Sequence, residues 1–208
     1  MCSRRKAASG IILAGGASAR LGQDKALVEV AGRPLVERVV EVLRPLVDEI
    51  VLVTPSPERL AWLGLPAVDD VYPGIGTLGG LHAGLNAIQN PYGLAVGCDM
   101  PFLNRDLLAF MMAQIGENEV IMPRVGRFYE PLHAIYARSL LPVLEARILA
   151  GQRRIRHACE GLQTRYIRED EIAAFDPDHL SFFNVNTPED LVRARAALED
   201  WKIGRLEG

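Results

Sequence analysis

The segment GIILAGGASARLGQDKALVEV, which starts at Gly10, puts three glycines (Gly15, Gly16, Gly22) beside two cations, Arg20 and Lys25. Glycines let backbone N–H groups approach an anion closely and form a concave nest. A guanidinium and an ammonium add charge-assisted contacts, so the chemistry is that of phosphate binding. A Walker A loop needs its second glycine followed directly by Lys, whereas Gly22 is followed by Gln23-Asp24-Lys25. The competing reading is a surface turn with solvated cations. A second candidate is Asp99 in GLAVGCDMPFL, a carboxylate at the end of an apolar run. Mg2+ takes one or two carboxylates together with substrate phosphates and water, so Asp99 suits that ion. The alternative, a helix N-cap, is a role for which Asn104 is better placed.

Other residues carry weaker signals. Asp69 and Asp70 end the run LPAVDD. They could hold metal, accept hydrogen bonds from guanine N–H groups or ribose hydroxyls, or form an Asx turn before Pro73. Asn184 and Asn186 in FFNVNTPED share one face if that piece is extended, and otherwise serve turns and caps. Arg153, Arg154 and Arg156, and also Arg124 and Arg127, could meet a second anionic substrate or stay solvated. GIGTLG, from Gly74, fits a dinucleotide fingerprint formally. That fingerprint needs an apolar strand running into its first glycine, and DDVYP stands there instead.

These residues sit on a regular alternation. GIILA and EIVLV read as buried strands, LPAVDD as a strand ending in carboxylates, YGLAVGCDMP as a strand ending at Asp99, and EVIMP as another. Val28 to Val30 is a short extended piece. Apolar residues from Pro34 to Val47 make a helical stripe with Pro34 at the first helical position. PERLAWLGL, LGGLHAGLNAIQN and NRDLLAFMMAQI read as helices, the last capped by Asn104. Beyond Pro131 the expectation is an extended piece, one or two helices and an edge strand at TRYIRE. SFFNVN is then read as a strand, followed by a helix with Thr187 as N-cap, Pro188 first and Asp190 completing a capping box. Alternating strands and helices imply an α/β fold with a mainly parallel sheet. Ligands then sit beyond the carboxyl ends of strands, which gathers the glycine loop, Asp69/Asp70 and Asp99 at one edge.

Length and composition set the frame. The chain has 208 residues, 49% hydrophobic and 24% charged, which suits one domain, and no linker divides it. A net charge of −3 argues against a nucleic-acid partner, so an anionic substrate must meet a local cluster of cations. Three scattered cysteines and four scattered histidines make neither a disulfide framework nor a metal motif. Arg4, Arg5 and Lys6 before Ile11 to Ala14 imitate a signal peptide, but that apolar core is shorter than the roughly 7–15 residues required. No run approaches the roughly 18 apolar residues of a membrane span. The expected location is cytoplasmic.

LAGGASARLGQDK resembles the nucleotidyltransferase signature LAGGxSxRxGxDK. DVYPGIGTLGGLHAGL resembles DxxPGxGPLGGI, CDMPFL resembles a metal-binding CDxPF segment, and NVNTPED follows in order. Together they are similar to the molybdenum cofactor guanylyltransferases of the MobA type. The resemblance implies a three-layer, Rossmann-like nucleotidyltransferase fold. It implies GTP, Mg2+ and molybdopterin or the molybdenum cofactor as the participants, with no membrane, and transient contacts with proteins that deliver or collect the cofactor. Residues 10–123 would bind nucleotide, and residues 124–200 would bind the acceptor and complete the fold. Leu13, Ala14, Gly15 and Gly16 would meet the guanine base, Arg20 and Lys25 the phosphates, and Asp70 the nucleoside. Asp99 would hold Mg2+, and Asn184 and Asn186 would lie on the pterin side. Val53 and Thr54 are further candidates for the base. Thr77 stands where the family usually has proline, which puts that loop's rigidity in question. A cytidylyl- or sugar-1-phosphate transferase shares the first loop and the aspartate, and is the rival reading.

Overall fold

The structure, a computed structural model, describes residues 7–15 and 24–206. Its centre is β1 (Ala8–Leu13), buried at every position, as expected of a strand paired on both sides with both faces covered. A hairpin of β2 (Glu29–Val30) and β3 (Arg33–Pro34) follows, turning through Ala31 and Gly32 at positive φ. Next come α1 (Leu35–Leu43), β4 (Glu49–Val53), a 3-10 segment at Pro57–Leu63, β5 (Ala67–Val68), α2 (Thr77–Ala87), β6 (Tyr92–Gly97) and α3 (Arg105–Ala113). The second half adds β7 (Val120–Val125), β8 (Phe128–Tyr129), β9 (His133–Ala137), α4 (Leu141–Leu149) and α5 (Ile155–Ala158). It ends with β10 (Thr164–Ile167), α6 (Glu169–Ala173) and α7 (Pro188–Leu206).

The main sheet runs β10-β7-β9-β6-β1-β4-β5, with β8 paired to β7. All pairs are parallel except those that β9 makes with β6 and β7 and the β7–β8 hairpin. The register puts Gly97, Leu13, Val53 and Val68 in one row across four strands, so the residues after them share one edge. Because β9 is reversed, it begins at this edge, with His133 opposite Val96.

Strand alternation divides the core. Ile12 joins α1 and α3 on one face, while Ile11 and Leu13 join α2 and α4 on the other. The α2 helix lies flush on β1 because a Cβ on Gly84 would stand 2.3 Å from Ile11, and one on Gly80 would stand 2.9 Å from Leu13. A third cluster joins Val28, Val30 and Leu35 near the hairpin to Val185, Ala194 and Leu198, locking the C-terminal segment onto the early chain.

Two expectations change. The stretch SFFNVN is not a strand: Leu180–Phe182 form a 3-10 turn, and the chain then crosses irregularly to α7. Asp176 dictates this, since its carboxylate accepts the N–H groups of Leu180 and Ser181 and removes them from any ladder. Pro34 is the N-cap of α1 and pairs in β3, so Leu35 is the first helical residue. TRYIRE does supply an edge strand, and Asn104 caps α3 by accepting the N–H groups of Asp106 and Leu107. Among the described residues no helix is long and apolar enough to cross a membrane.

His133 is fully buried with neither ring nitrogen hydrogen-bonded among the described residues, and it packs edge-on against Phe182 at 4.9 Å. Burial drives its pKa from 6.5 down to about 3. A folded pKa below the unfolded value means that the unfolded chain takes up the proton first. Stability is therefore intact above pH 6.5 and declines as pH falls toward 3, by up to about 1.4 kcal/mol per pH unit. Replacing both unsatisfied nitrogens by apolar surface should relieve this. His133→Leu is expected to hold its melting temperature at pH 7 and to lose less than wild type between pH 7 and pH 4.5, as thermal melts across pH would measure.

Candidate active site

A cavity of about 350 Å3 opens at the carboxyl edge of the sheet. Leu13, Ala14 and Gly15 line it from β1, Gly97, Cys98 and Asp99 from β6, and Asp24 and Lys25 from the segment after the glycine loop. Thr77 comes from the first turn of α2, Leu132 from the approach to β9, and Asn184 and Asn186 from the crossing before α7.

Lys25 is the meeting point. Its ammonium donates to Asp99 Oδ2 at 2.9 Å and also to Asn186 Oδ1. Both charged side chains are largely covered, at 22% and 14% exposure. Asp24 sets the start of this piece: its carboxylate caps a 3-10 turn by accepting the Ala26 N–H and is itself held by Arg59 at 3.2 Å. The signature LAGGxSxRxGxDK includes Asp24 without giving it a role; a carboxylate at the start of a helical turn is an N-cap signal. Asp99 is placed by a glycine. A Cβ at Gly97 would stand 2.6 Å from Asp99 Oδ1, so only glycine leaves room for the carboxylate there.

The crossing that brings in the asparagines is pinned along its length. Asn104 N–H donates to Ser181 Oγ, Asn184 Nδ2 donates to the Phe182 carbonyl, and Val185 N–H donates to the Asp99 carbonyl at 2.9 Å. Asp190 Oδ2 accepts the N–H groups of Asn186 and Thr187, while Thr187 Oγ1 accepts the Asp190 N–H, the expected capping box. Asn184 and Asn186 thus share the cavity without lying on a strand.

Sheet bonding limits what β1 can offer a ligand. The Leu13 carbonyl accepts from Cys98 N–H, and Ala14 N–H donates to the Val53 carbonyl. The Ala14 carbonyl and the Gly15 amide carry no such bond among the described residues. Val53 and Thr54 do not reach the cavity: Thr54 N–H donates to the Val68 carbonyl, and its hydroxyl accepts the Ser56 N–H. Asp70 also lies outside the lining. It accepts the Tyr72 N–H and rests on Gly79 in the first turn of α2, the favourable end of the helix dipole for a carboxylate. Gly16, Arg20 and Gly22 lie outside the described residues.

The remaining arginines sort differently. Arg153 donates to the Gly74 carbonyl at 2.8 Å and fastens the loop before Thr77, where the expected proline is missing. Arg156 and Arg124 lie over the Tyr129 ring at 4.5 and 5.4 Å, and Arg127 lies over Phe128. GIGTLG is a turn running into α2, and β5 ends at Val68 without running into Gly74, which removes the dinucleotide reading. Burial pushes the Cys98 thiol above its ordinary range, which disfavours the thiolate form.

Residues 10–167 match the family described as MobA-like NTP transferase domain. A relative from Pelotomaculum thermopropionicum, named "Probable molybdenum cofactor guanylyltransferase", is 37% identical over 96% of this chain and 97% of its own. The molybdenum cofactor guanylyltransferase of Desulfosudis oleivorans is 37% identical over 96% of this chain and 98% of its own. Among solved structures, the molybdopterin-guanine dinucleotide biosynthesis protein A of Archaeoglobus fulgidus superimposes with a TM-score of 0.80 at 30% identity, covering 92% of this chain and 99% of that one. Matches that run along nearly the whole chain, with the glycine segment, the strand-end aspartate and the crossing all inside them, mean that the protein belongs to the MobA-like NTP transferase family of nucleotidyltransferases.

Proposed function

We propose that the protein transfers the GMP part of GTP to the terminal phosphate of molybdopterin, or of the molybdenum cofactor, and releases pyrophosphate. The observation that carries this reading is the joint placement of Lys25, Asp99, Asn184 and Asn186 around one cavity floored by the end of β1. The names of full-length relatives supply the nucleotide and the acceptor. The nucleotide lies against residues 13–15 and 24–25, and the acceptor approaches from the crossing that carries Asn184 and Asn186.

A phosphate oxygen of the acceptor attacks the α-phosphorus of GTP, a P–O bond forms, and the bond from the α-phosphorus to the α–β bridging oxygen breaks. That bridging oxygen leaves with pyrophosphate. The attacking phosphate is already ionised at neutral pH, so no general base is needed, and the described residues of the cavity lining include no histidine. Lys25 offsets charge on the phosphates, and the residue groups around it hold the reactants in line. The ligand set fits Mg2+. Asp99 would supply one carboxylate and Asn184 a neutral oxygen, with the remaining positions left to substrate phosphates and water, as Mg2+ prefers. Bound there, the ion would add charge neutralisation at the phosphates.

Asp99→Ala is expected to abolish Mg2+-dependent pyrophosphate release with GTP and acceptor, since loss of one preorganised charge contact costs roughly 10²–10³ in rate. Near-normal turnover would remove Asp99 from the metal role. Gly97→Ala tests the same carboxylate from behind: its new methyl group displaces Asp99 Oδ1, so activity should fall at least about tenfold while the melting temperature changes little. Incubation with each of GTP, CTP, UTP and ATP plus molybdopterin, followed by mass analysis of the pterin, should show the guanine dinucleotide product alone. A cytidine product would instead favour the cytidylyltransferase alternative.

A further inference from the structure

Resemblance assigns Asn186 to the acceptor, yet its carboxamide is engaged on the nucleotide side. An ammonium has only donors, so the amide atom that faces Lys25 must be the oxygen, and the contact runs from Lys25 Nζ to Asn186 Oδ1. The Asn186 backbone is fixed independently, through its N–H to Asp190 Oδ2, so the side chain is presented from a rigid base. Lys25 comes from a segment 161 residues away and is otherwise held by Asp99.

We propose that Asn186 is a positioning residue for Lys25, holding its ammonium at the triphosphate position before nucleotide arrives. The proposal rests on reading Lys25 as the phosphate ligand. A lysine stem has many rotamers, and fixing them in advance removes an ordering cost from binding. The two anchors differ in what happens when a triphosphate enters. The Asp99 carboxylate competes with the phosphates for the ammonium charge and must give it up. The Asn186 oxygen is neutral and can keep its bond while Lys25 turns to the phosphates. Its amide NH2 donates to no other group among the described residues and can meet an anionic oxygen, so one residue can serve both halves of the site. The crossing before α7 thereby belongs to nucleotide binding as well as to the acceptor.

The test uses the full chain without any acceptor. Affinity for an α,β-methylene analogue of GTP is measured by calorimetry for wild type, Asn186→Ala, Lys25→Ala and the double variant. Asn186→Ala is expected to weaken binding by a few-fold to about tenfold, the scale of ordering one long side chain on binding. In the Lys25→Ala background the same change should have little effect, because there is no ammonium left to position. General damage to the site would weaken both backgrounds equally and would overturn the proposal. So would an Asn186→Ala protein that binds the analogue like wild type and fails only with acceptor present. If Asn186→Ala lowers the melting temperature, Asn186→Gln, which keeps the carboxamide but shifts it by one methylene, enters the same cycle. The cycle reads Lys25 and the phosphates, not the base, so it can be run with whichever nucleoside triphosphate the protein binds. Rejection of guanine would then overturn the proposed function while leaving the positioning role of Asn186 intact.

Discussion

The ammonium of Lys25, shared between Asp99 and Asn186, is the contact on which the rest of the site depends. It gathers an early loop, the end of a central strand and the entry to the last helix. Each reaches this point by a different physical route. Asp99 is delivered by the parallel register of β6 beside β1, and a glycine clears the space for its carboxylate. Lys25 is delivered by a capped 3-10 turn whose cap, Asp24, is itself clamped by Arg59. Asn186 is delivered by a crossing tied to the backbone of Asp99 and packed over the hairpin that follows Lys25.

This arrangement solves an electrostatic problem. A lysine and an aspartate that are both largely covered would each face a desolvation cost alone. Paired at the cavity wall, they neutralise one another. Nothing of the sort holds for Cys98, which is buried beside them and whose thiol burial keeps protonated.

The cavity lining is not confined to one half of the chain. Residues 10–123 supply the row of strand ends. The reversed strand β9 nevertheless begins at the same edge and contributes Leu132, and residues 184–186 reach into the cavity from beyond the sheet. Three arginines of the second half serve two purposes. Arg153 fastens the loop before α2, while Arg124 and Arg156 lie over the Tyr129 ring.

The sequence by itself determined the strand alternation, the row of residues after β1, β5 and β6, the cap at Asn104 and the capping box at Thr187. All of these rest on local period and local hydrogen bonding, which a linear reading captures. It also determined the family, because the glycine segment, CDMP and NVNTPED carry their spacing with them. Only the tertiary structure decided that Asp70 turns to α2 rather than the cavity, that Thr54 is consumed by its own turn, and that SFFNVN is no strand. It alone joined Asn186 to Lys25. Those outcomes depend on which neighbour takes each polar group first, and those neighbours lie far apart in the chain, where no periodicity records them.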